Sequence, residues 1–236
     1  MPAPDSITDY DKLWTDVYGD LQQVGPTHRH MKRIMQNILR RIEYNSLLDV
    51  GCGFGHNLSF LCKGRKLNRV AGIDISSKAV EHMRGKTDAS FCQLDIQKEQ
   101  LKEKWDLVFC SLLLEHVSDD MSALCNMRAM TEKYLLLSTI SGPFERYRPW
   151  EEKVGHVRNY RRGELESKLE KTGFKIQKAV YWGFPFFSPV ARALQNHMTL
   201  QSKMGVASRA LGALLYAVYF LNSYQKGDLL IILASV

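Results

Sequence analysis

Cysteine is scarce in this chain and never spaced to hold a metal or form a redox pair. The five residues Cys52, Cys62, Cys92, Cys110 and Cys125 are odd in number, show no C-x-x-C spacing and mostly sit inside apolar runs. That argues against a disulfide framework and for reduced, intracellular thiols. Long apolar runs are missing as well. The longest, Leu211 to Leu221, has about half of the ~20 residues that a bilayer-spanning helix needs. The opening Met-Pro-Ala-Pro-Asp-Ser lacks the basic start and apolar stretch of a secretory signal, so a cytoplasmic location is the expectation. Internal repeats and low-complexity segments are absent too.

Acidic residues are outnumbered, 25 against 32 Lys and Arg, which gives a formal charge of +7 and a pI near 9.1. Such a balance suits an anionic partner, whether nucleic acid, lipid headgroup or phosphorylated metabolite. The plainer reading, solvated surface charge, is preferred. With 236 residues the chain is long enough for one α/β domain with a sizeable core and too short for two domains of typical size.

What the sequence does have is the stretch Leu47 to His56, Leu-Leu-Asp-Val-Gly-Cys-Gly-Phe-Gly-His. An apolar pair, an acid and three alternating glycines describe a buried parallel strand that ends in a tight turn and hands over to a helix. Gly51, Gly53 and Gly55 carry no side chain, so a ligand can approach the backbone closely. A dinucleotide fingerprint needs G-x-G-x-x-G. Here the spacing is G-x-G-x-G, and His56 occupies the third glycine's place. Asp49 would repel a pyrophosphate but suits a sulfonium or ammonium group.

The rest of the chain alternates strands and helices. A short helix is expected over residues 8–20, with Tyr10, Trp14 and Tyr18 at helical spacing. Met31, Ile34, Met35, Ile38, Leu39 and Ile42 then mark an amphipathic helix with Thr27 as its N-cap. Strands are expected at 46–50, 69–75, 89–94, 105–111 and 134–140. Helices are expected at 57–63, from the Ser76 or Ser77 cap to Gly85, and at 119–132. Near-continuous apolar strands between helices specify a parallel sheet covered on both faces. From Ser141 to Tyr160 a polar, aromatic loop is expected, too long to be a mere connector. A helix at 161–172, a strand at 174–182, a largely helical stretch at 189–222 and a last strand at 228–235 complete the reading.

The glycine stretch resembles motif I, (D/E)-x-G-x-G-x-G, of the class I S-adenosylmethionine-dependent methyltransferases. Cys110-Ser111-Leu112-Leu113-Leu114-Glu115-His116-Val117 resembles the E-H-V segment of their ubiquinone-biosynthesis-like branch. Gly155-His156-Val157-Arg158-Asn159-Tyr160 is similar to the G-H-x-R-x-Y that closes over the site in many small-molecule members. The resemblance covers roughly residues 45–182. It implies an α/β, doubly wound, mostly parallel seven-stranded Rossmann-like sheet. One domain results, with N-terminal helices over 1–44, a cofactor-binding core over 45–182, and a helical insertion with the last strand over 183–236. It implies S-adenosyl-L-methionine as cofactor.

Within that family, Asp49, Gly51, Cys52, Gly53 and Gly55 form the cofactor turn. Asp74, nineteen residues after Gly55, would accept the ribose hydroxyls with Ile75 beside it. Asp95 would meet the adenine amino group and Ile96 the ring, and Cys110 and Ser111 would line the methionine end. Arg29 is a candidate for the cofactor carboxylate. His116 and His156 are candidate general bases and Tyr160 a candidate orienter, each weighed against an ordinary structural role. Arg158 would hold an anionic substrate group or pin the loop. No metal is expected, because metal-dependent relatives carry a Glu where this chain has Leu112. A (D/N)-P-P-(Y/F) segment after strand four is absent, which argues against exocyclic amino groups of bases as acceptors. Phe109 stands where a pyrimidine-C5 enzyme has Pro, so Cys110 reads as a packed thiol.

The expected activity is methyl transfer by in-line displacement to a small acceptor. The aromatic and aliphatic residues of the 183–222 insertion point to a hydrophobic acceptor or a peripheral membrane contact, beside the plainer reading of a packed core or dimer helix. Nucleic acid is the less favoured acceptor. RNA methylation, suggested by the charge, and a catalytically inactive cofactor-binding partner subunit are the alternatives. A monomer or a homodimer is expected.

Overall fold

The structure is a computed structural model describing residues 25–195 and 206–236. The helix expected at 8–20 lies outside the described residues, as does part of the 189–222 stretch. Seven strands form one sheet in the order β3-β2-β1-β4-β5-β7-β6: β1 is Ser46–Val50, β2 Arg69–Asp74, β3 Ser90–Gln93, β4 Trp105–Ser111, β5 Thr131–Ile140, β6 Lys175–Trp182 and β7 Leu229–Ser235. The first five run parallel, and β7 lies antiparallel between β5 and β6. The central strands β1, β4 and β5 bury runs such as Leu47-Leu48, Leu107 to Cys110 and Leu135 to Leu137 because both sheet faces are covered. The implied doubly wound, Rossmann-like sheet is the observed one.

Helix α1, Pro26–Leu39, lays Met31, Ile34, Met35, Ile38 and Leu39 against one face, beside Leu107, Phe109 and Leu136. Thr27 is not its N-cap. Gly25 holds that place and Pro26 opens the first turn, where a missing N–H costs nothing. After β1 comes the short α2, Leu58–Leu61, shorter than the expected 57–63. Helix α3, Ser77–Met83, is capped by Ser76, whose Oγ accepts from the Ala79 N–H at 3.1 Å. Helix α4, Asp120–Met130, is capped by Asp119 on the Ser122 N–H. It packs Ala123, Leu124 and Met127 on the other face with Leu48, Val50 and Val108.

The long loop after β5 is partly helical: a 3-10 turn over Phe144–Tyr147 leads into α5, Arg148–Lys153, with Pro149 in its first turn. Helix α6, Glu164–Lys171, starts later than expected because Gly163 has φ +80. The insertion between β6 and β7 comprises a wide-turn helix over Phe186–Ala191, α7 over Arg192–Gln195, α8 over Val206–Val218 and a 3-10 turn over Tyr219–Leu221. It folds back on α1. The sheet therefore has its order reversal between β1 and β4, where a crevice opens beyond the carboxyl ends of the strands.

Candidate functional site

A cavity of about 540 Å3 occupies that crevice. At one end it is walled by the strand tips: Val50, Gly51 and Cys52 after β1, Asp74 and Ile75 after β2, Asp95 and Ile96 after β3. The turn is held by Asp74, whose Oδ2 accepts from the Gly53 N–H at 2.8 Å and whose Oδ1 accepts from the Ser76 N–H at 2.9 Å. Gly51 and Gly53 have φ +73 and +48, so the turn needs glycine at both places. Gly55 has φ +73 as well, and a Cβ there would also meet Met83 Cε at 2.3 Å.

Asp49 lies behind this wall. It is buried, and neither carboxylate oxygen has a hydrogen-bond partner among the described residues. Burial, aided by the Asp74 charge, pushes its carboxyl up to about 8. An unpartnered buried acid costs stability unless something cationic compensates it, so this end of the cavity fits a ligand that carries positive charge. Asp95 is held differently. Burial pushes its carboxyl up, but hydrogen bonds from the Gln97 N–H and Lys98 outweigh that and leave it below the ordinary value.

The middle of the cavity is built from the tip of β4 and the segment after β5. Ser111, Leu112, Glu115 and His116 line it, and Ser111 Oγ pairs with Ser138 Oγ at 2.8 Å. Leu112 has φ +53, a left-handed conformation that is strained for a branched side chain and gathers at functional sites. Trp150, Glu151 and His156 close over this part. His116 Nδ1 donates to the Gly155 carbonyl at 3.1 Å, and its ring stands edge-on to that of His156, centroids 4.6 Å apart. Burial, reinforced by His156, pushes His116 down to about 3. It is therefore neutral and a weak base.

His156 is supported otherwise. Its Nδ1 lies 2.5 Å from Oε2 of Glu151. A carboxylate can only accept, so Nδ1 donates to it and Nε2 is the ring nitrogen left for another partner. Glu151 is fully buried and is itself held by Asn159 Nδ2 at 3.1 Å and by the Arg192 guanidinium. Burial pushes its carboxyl up, but these partners prevail and leave it lowered. Arg192 also reaches Asp228 Oδ2 at 2.9 Å, tying the insertion to the loop that carries the histidine.

The remaining candidates lie elsewhere. Tyr160 is fully buried and donates its hydroxyl to Asp120 Oδ2 at 2.9 Å. It is a structural anchor outside the cavity wall, because the same carboxylate also binds Lys168 and Arg158. Arg158 pins the loop, with a second bond to the Ser118 carbonyl. Arg29 does not reach towards the cofactor turn. It is exposed and stacks 3.7 Å over the Tyr216 ring of α8, a side the helix phase gives it. Cys110 is buried in β4 with its thiol pushed well up by desolvation, as a packed thiol should be. Glu115, Glu151 and Arg192 were not candidates from sequence. Glu115 had a signal, its place beside His116. Arg192 lies forty-one residues from Glu151, and no local pattern links them.

Donor atoms of Glu115, His116 and His156 lie within 4.8 Å of one another. Oε2 of Glu115 accepts from Thr139 Oγ1 at 2.7 Å, Oε1 has no hydrogen-bond partner among the described residues, and burial pushes the carboxyl up.

The far end of the cavity is apolar, lined by Phe186, Phe187, Val190, Leu194, Leu211 and Leu215 of the insertion. No helix among the described residues is long and apolar enough to cross a membrane.

Residues 27–179, more than half of the chain, match the family described as a methyltransferase domain. The chain belongs to that methyltransferase family. Among curated relatives, the ubiquinone biosynthesis O-methyltransferase of Histophilus somni (strain 2336) is 25% identical over 158 residues, which are 60% of this chain and 66% of the relative. The match thus spans just under two thirds of that relative's length. In fold, the chain is similar to the magnesium protoporphyrin IX methyltransferase of Synechocystis PCC 6803 solved with bound SAH. The TM-score is 0.56 at 16% identity over 88% of this chain and 83% of that one. It is also similar to an S-adenosylmethionine-dependent methyltransferase of Mesorhizobium loti, with TM-score 0.57 at 18% identity over 89% and 98% of the two chains. The unpartnered Asp49 is the local feature that fits a cationic ligand.

Proposed function

We propose that this methyltransferase modifies a small apolar acceptor and that His156 takes the proton when the acceptor is a hydroxyl. S-adenosyl-L-methionine supplies one electrophilic methyl group on a sulfonium. Asp74 is assigned to the ribose hydroxyls, Asp95 with Ile75 and Ile96 to the adenine, and the turn at Gly51, Cys52 and Gly53 with Ser111 to the amino-acid end. Asp49 supplies negative charge from behind the turn. The observation that carries the reading is the single cavity that joins these acids to an apolar wall, with the Glu151-oriented His156 between them. Alignment of the two reactants accounts for most of the expected rate gain, and a positioned base adds to it only where a proton must leave.

The reading is metal-free: Leu112 stands where metal-dependent relatives carry a Glu, and Oε2 of Glu115 is engaged by Thr139. RNA is not favoured as acceptor. Within 145–168, Arg148 is engaged with Glu145 and Glu152, Arg158 and Lys168 with Asp120, and Arg162 with the Gln225 carbonyl, which takes these cations out of a free stripe. An inactive subunit would have its site filled by the residues after Ser141, whereas the cavity stays open beside them.

Incubation with isotopically labelled cofactor and a cell extract, split into organic-soluble and aqueous fractions and analysed by mass, tests the proposal. Label is expected in the organic-soluble fraction. Label confined to RNA, or no transfer by protein that binds S-adenosylhomocysteine, would reject it.

A further inference from the structure

Two neighbouring parts of the chain carry charge of one sign only. No Asp or Glu occurs from Pro26 to Ile42, which holds Arg29, Lys32, Arg33, Arg40 and Arg41, nor from Lys171 to Gly227. The two parts meet where α1 packs on α8. Arg29 lies over the Tyr216 ring, and Arg33 lies 4.5 Å over Phe220 while donating to the Tyr224 hydroxyl.

Past Arg209, the outward side of α8 and the 3-10 turn after it carry no charge to balance their apolar surface. Leu211 is 56% exposed, Leu214 62% and Leu221 71%. Ala210, Ala213 and Ala217 fill the exposed surface between them, and no charged residue stands between Arg209 and Lys226. Solvent-facing helix sides are ordinarily polar, and a contiguous exposed apolar patch marks an interaction surface. This patch also reaches the site: Leu211 lines the cavity together with Val190 and Leu194, which are likewise exposed.

We propose that this face, the apolar side of α8 edged by the arginines of α1, seats the protein on an anionic lipid bilayer, with the cavity opening towards the lipid past Val190, Leu194 and Leu211. An interfacial helix needs both halves of that description, apolar side chains to enter the headgroup boundary and cations to meet anionic headgroups. RNA fits the charge but not the surface, because leucines offer no stacking platform and the adjacent rings are covered by guanidinium groups. A second copy of the chain fits the apolar side but would bring like-charged arginine rims together around a twofold axis. The route by which an acceptor reaches the cavity rests on the methyl-transfer reading above; the docking does not.

The test is co-sedimentation of the full chain with vesicles of phosphatidylcholine alone and of equal parts phosphatidylcholine and phosphatidylglycerol. Binding is expected on the mixed vesicles, weakened by salt and weak on the neutral ones. A Leu214→Glu, Leu221→Glu variant should partition roughly tenfold less or worse. Neither residue lines the cavity, so calorimetric affinity for S-adenosylhomocysteine should be retained, which also shows that the variant is folded. Equal partition of the variant, or no binding to mixed vesicles, overturns the docking proposal while leaving the methyl-transfer reading intact. Binding to single-stranded RNA in place of vesicles, or a wild-type dimer that the variant dissolves, overturns it in favour of another occupant. Vesicle binding without transfer of label to any organic-soluble acceptor upholds the docking and removes the methyl-transfer reading with its access route.

Discussion

Oε2 of Glu151 lies 2.5 Å from Nδ1 of His156, and the same five-residue span is closed a second time by the His156 N–H on the Glu151 carbonyl at 2.8 Å. Carboxylate and imidazole therefore form one rigid unit at the roof of the cavity. His156→Ala should lower kcat by about 10²-fold or more towards a hydroxyl acceptor and leave affinity for S-adenosylhomocysteine unchanged. Glu151→Gln should lower kcat less, by about tenfold, because the ring remains and keeps an amide acceptor but loses the carboxylate charge beside it. Steady-state kinetics with the identified acceptor check both. Unchanged kcat in His156→Ala would mean that the proton leaves by another path.

Asp49 sets a conflict between stability and binding. Its folded-state carboxyl stands near 8, above an ordinary value of 3.8, so the folded chain binds a proton that the unfolded chain has released. Stability from this group is present below the ordinary value and is lost as pH rises through about 8. Asp49→Asn should then raise the Tm of the ligand-free protein at neutral pH and weaken S-adenosylhomocysteine by more than about tenfold. In the wild type, affinity should rise as pH approaches 8, with proton release on binding. Calorimetry in two buffers of different ionisation enthalpy measures that release, and none would show that Asp49 is already charged before the ligand arrives.

Asp74 binds both the turn and, on the proposed reading, the ribose. Asp74→Ala should weaken S-adenosylhomocysteine by more than ~1 kcal/mol through lost charge-assisted hydrogen bonds. Because the Gly53 and Ser76 N–H groups lose their acceptor as well, Asp74→Asn, which retains one acceptor oxygen, separates the two effects. Unchanged affinity in both variants would place the ribose elsewhere.

The sheet was legible because its signals are local. β1 and β4 read directly from apolar runs, and their observed limits match the expected ones. The acids at successive strand tips could be placed because a parallel sheet puts every tip on one edge. What escaped was set by distant contacts. Helix phase keeps Arg29 away from the cofactor turn, since its neighbours Met31 and Ile34 point inward and turn Arg29 towards Tyr216. Tyr160 reads as a loop tyrosine near a histidine, yet its partner Asp120 lies forty residues away. Glu151 stands in a Trp-Glu-Glu run with nothing to distinguish it from Glu152, which is exposed and pairs with Arg148. Only the fold separates the two.

Glu115, His116 and His156 come close enough to share an ion, so the metal-free reading has a direct check. Methyl transfer should be unaffected by dialysis against a chelator and by added magnesium, manganese or zinc. Activity lost with chelator and restored by one divalent ion would show that the three donors act as ligands and that the substitution of Glu by Leu112 is compensated by His156.

Arg192 is the link between the insertion and the histidine loop. It is almost fully buried, and its guanidinium meets Glu151, Asp228 and the Ser141 carbonyl. Removing one member of a buried pair leaves the other charge uncompensated, at a cost of about 3 kcal/mol or more. Arg192→Met should therefore lower Tm by roughly 6 to 12 °C in a chain of this size. Glu151 would still be buried beside His156, so the loss should be partly reversed by adding Glu151→Leu, which removes the stranded carboxylate. That double variant should regain stability but not activity, since it lacks the acceptor that orients His156. Thermal unfolding and single-turnover rates on the three proteins, read as a double-mutant cycle, separate the two roles. Additive Tm losses would show that Arg192 and Glu151 do not depend on each other.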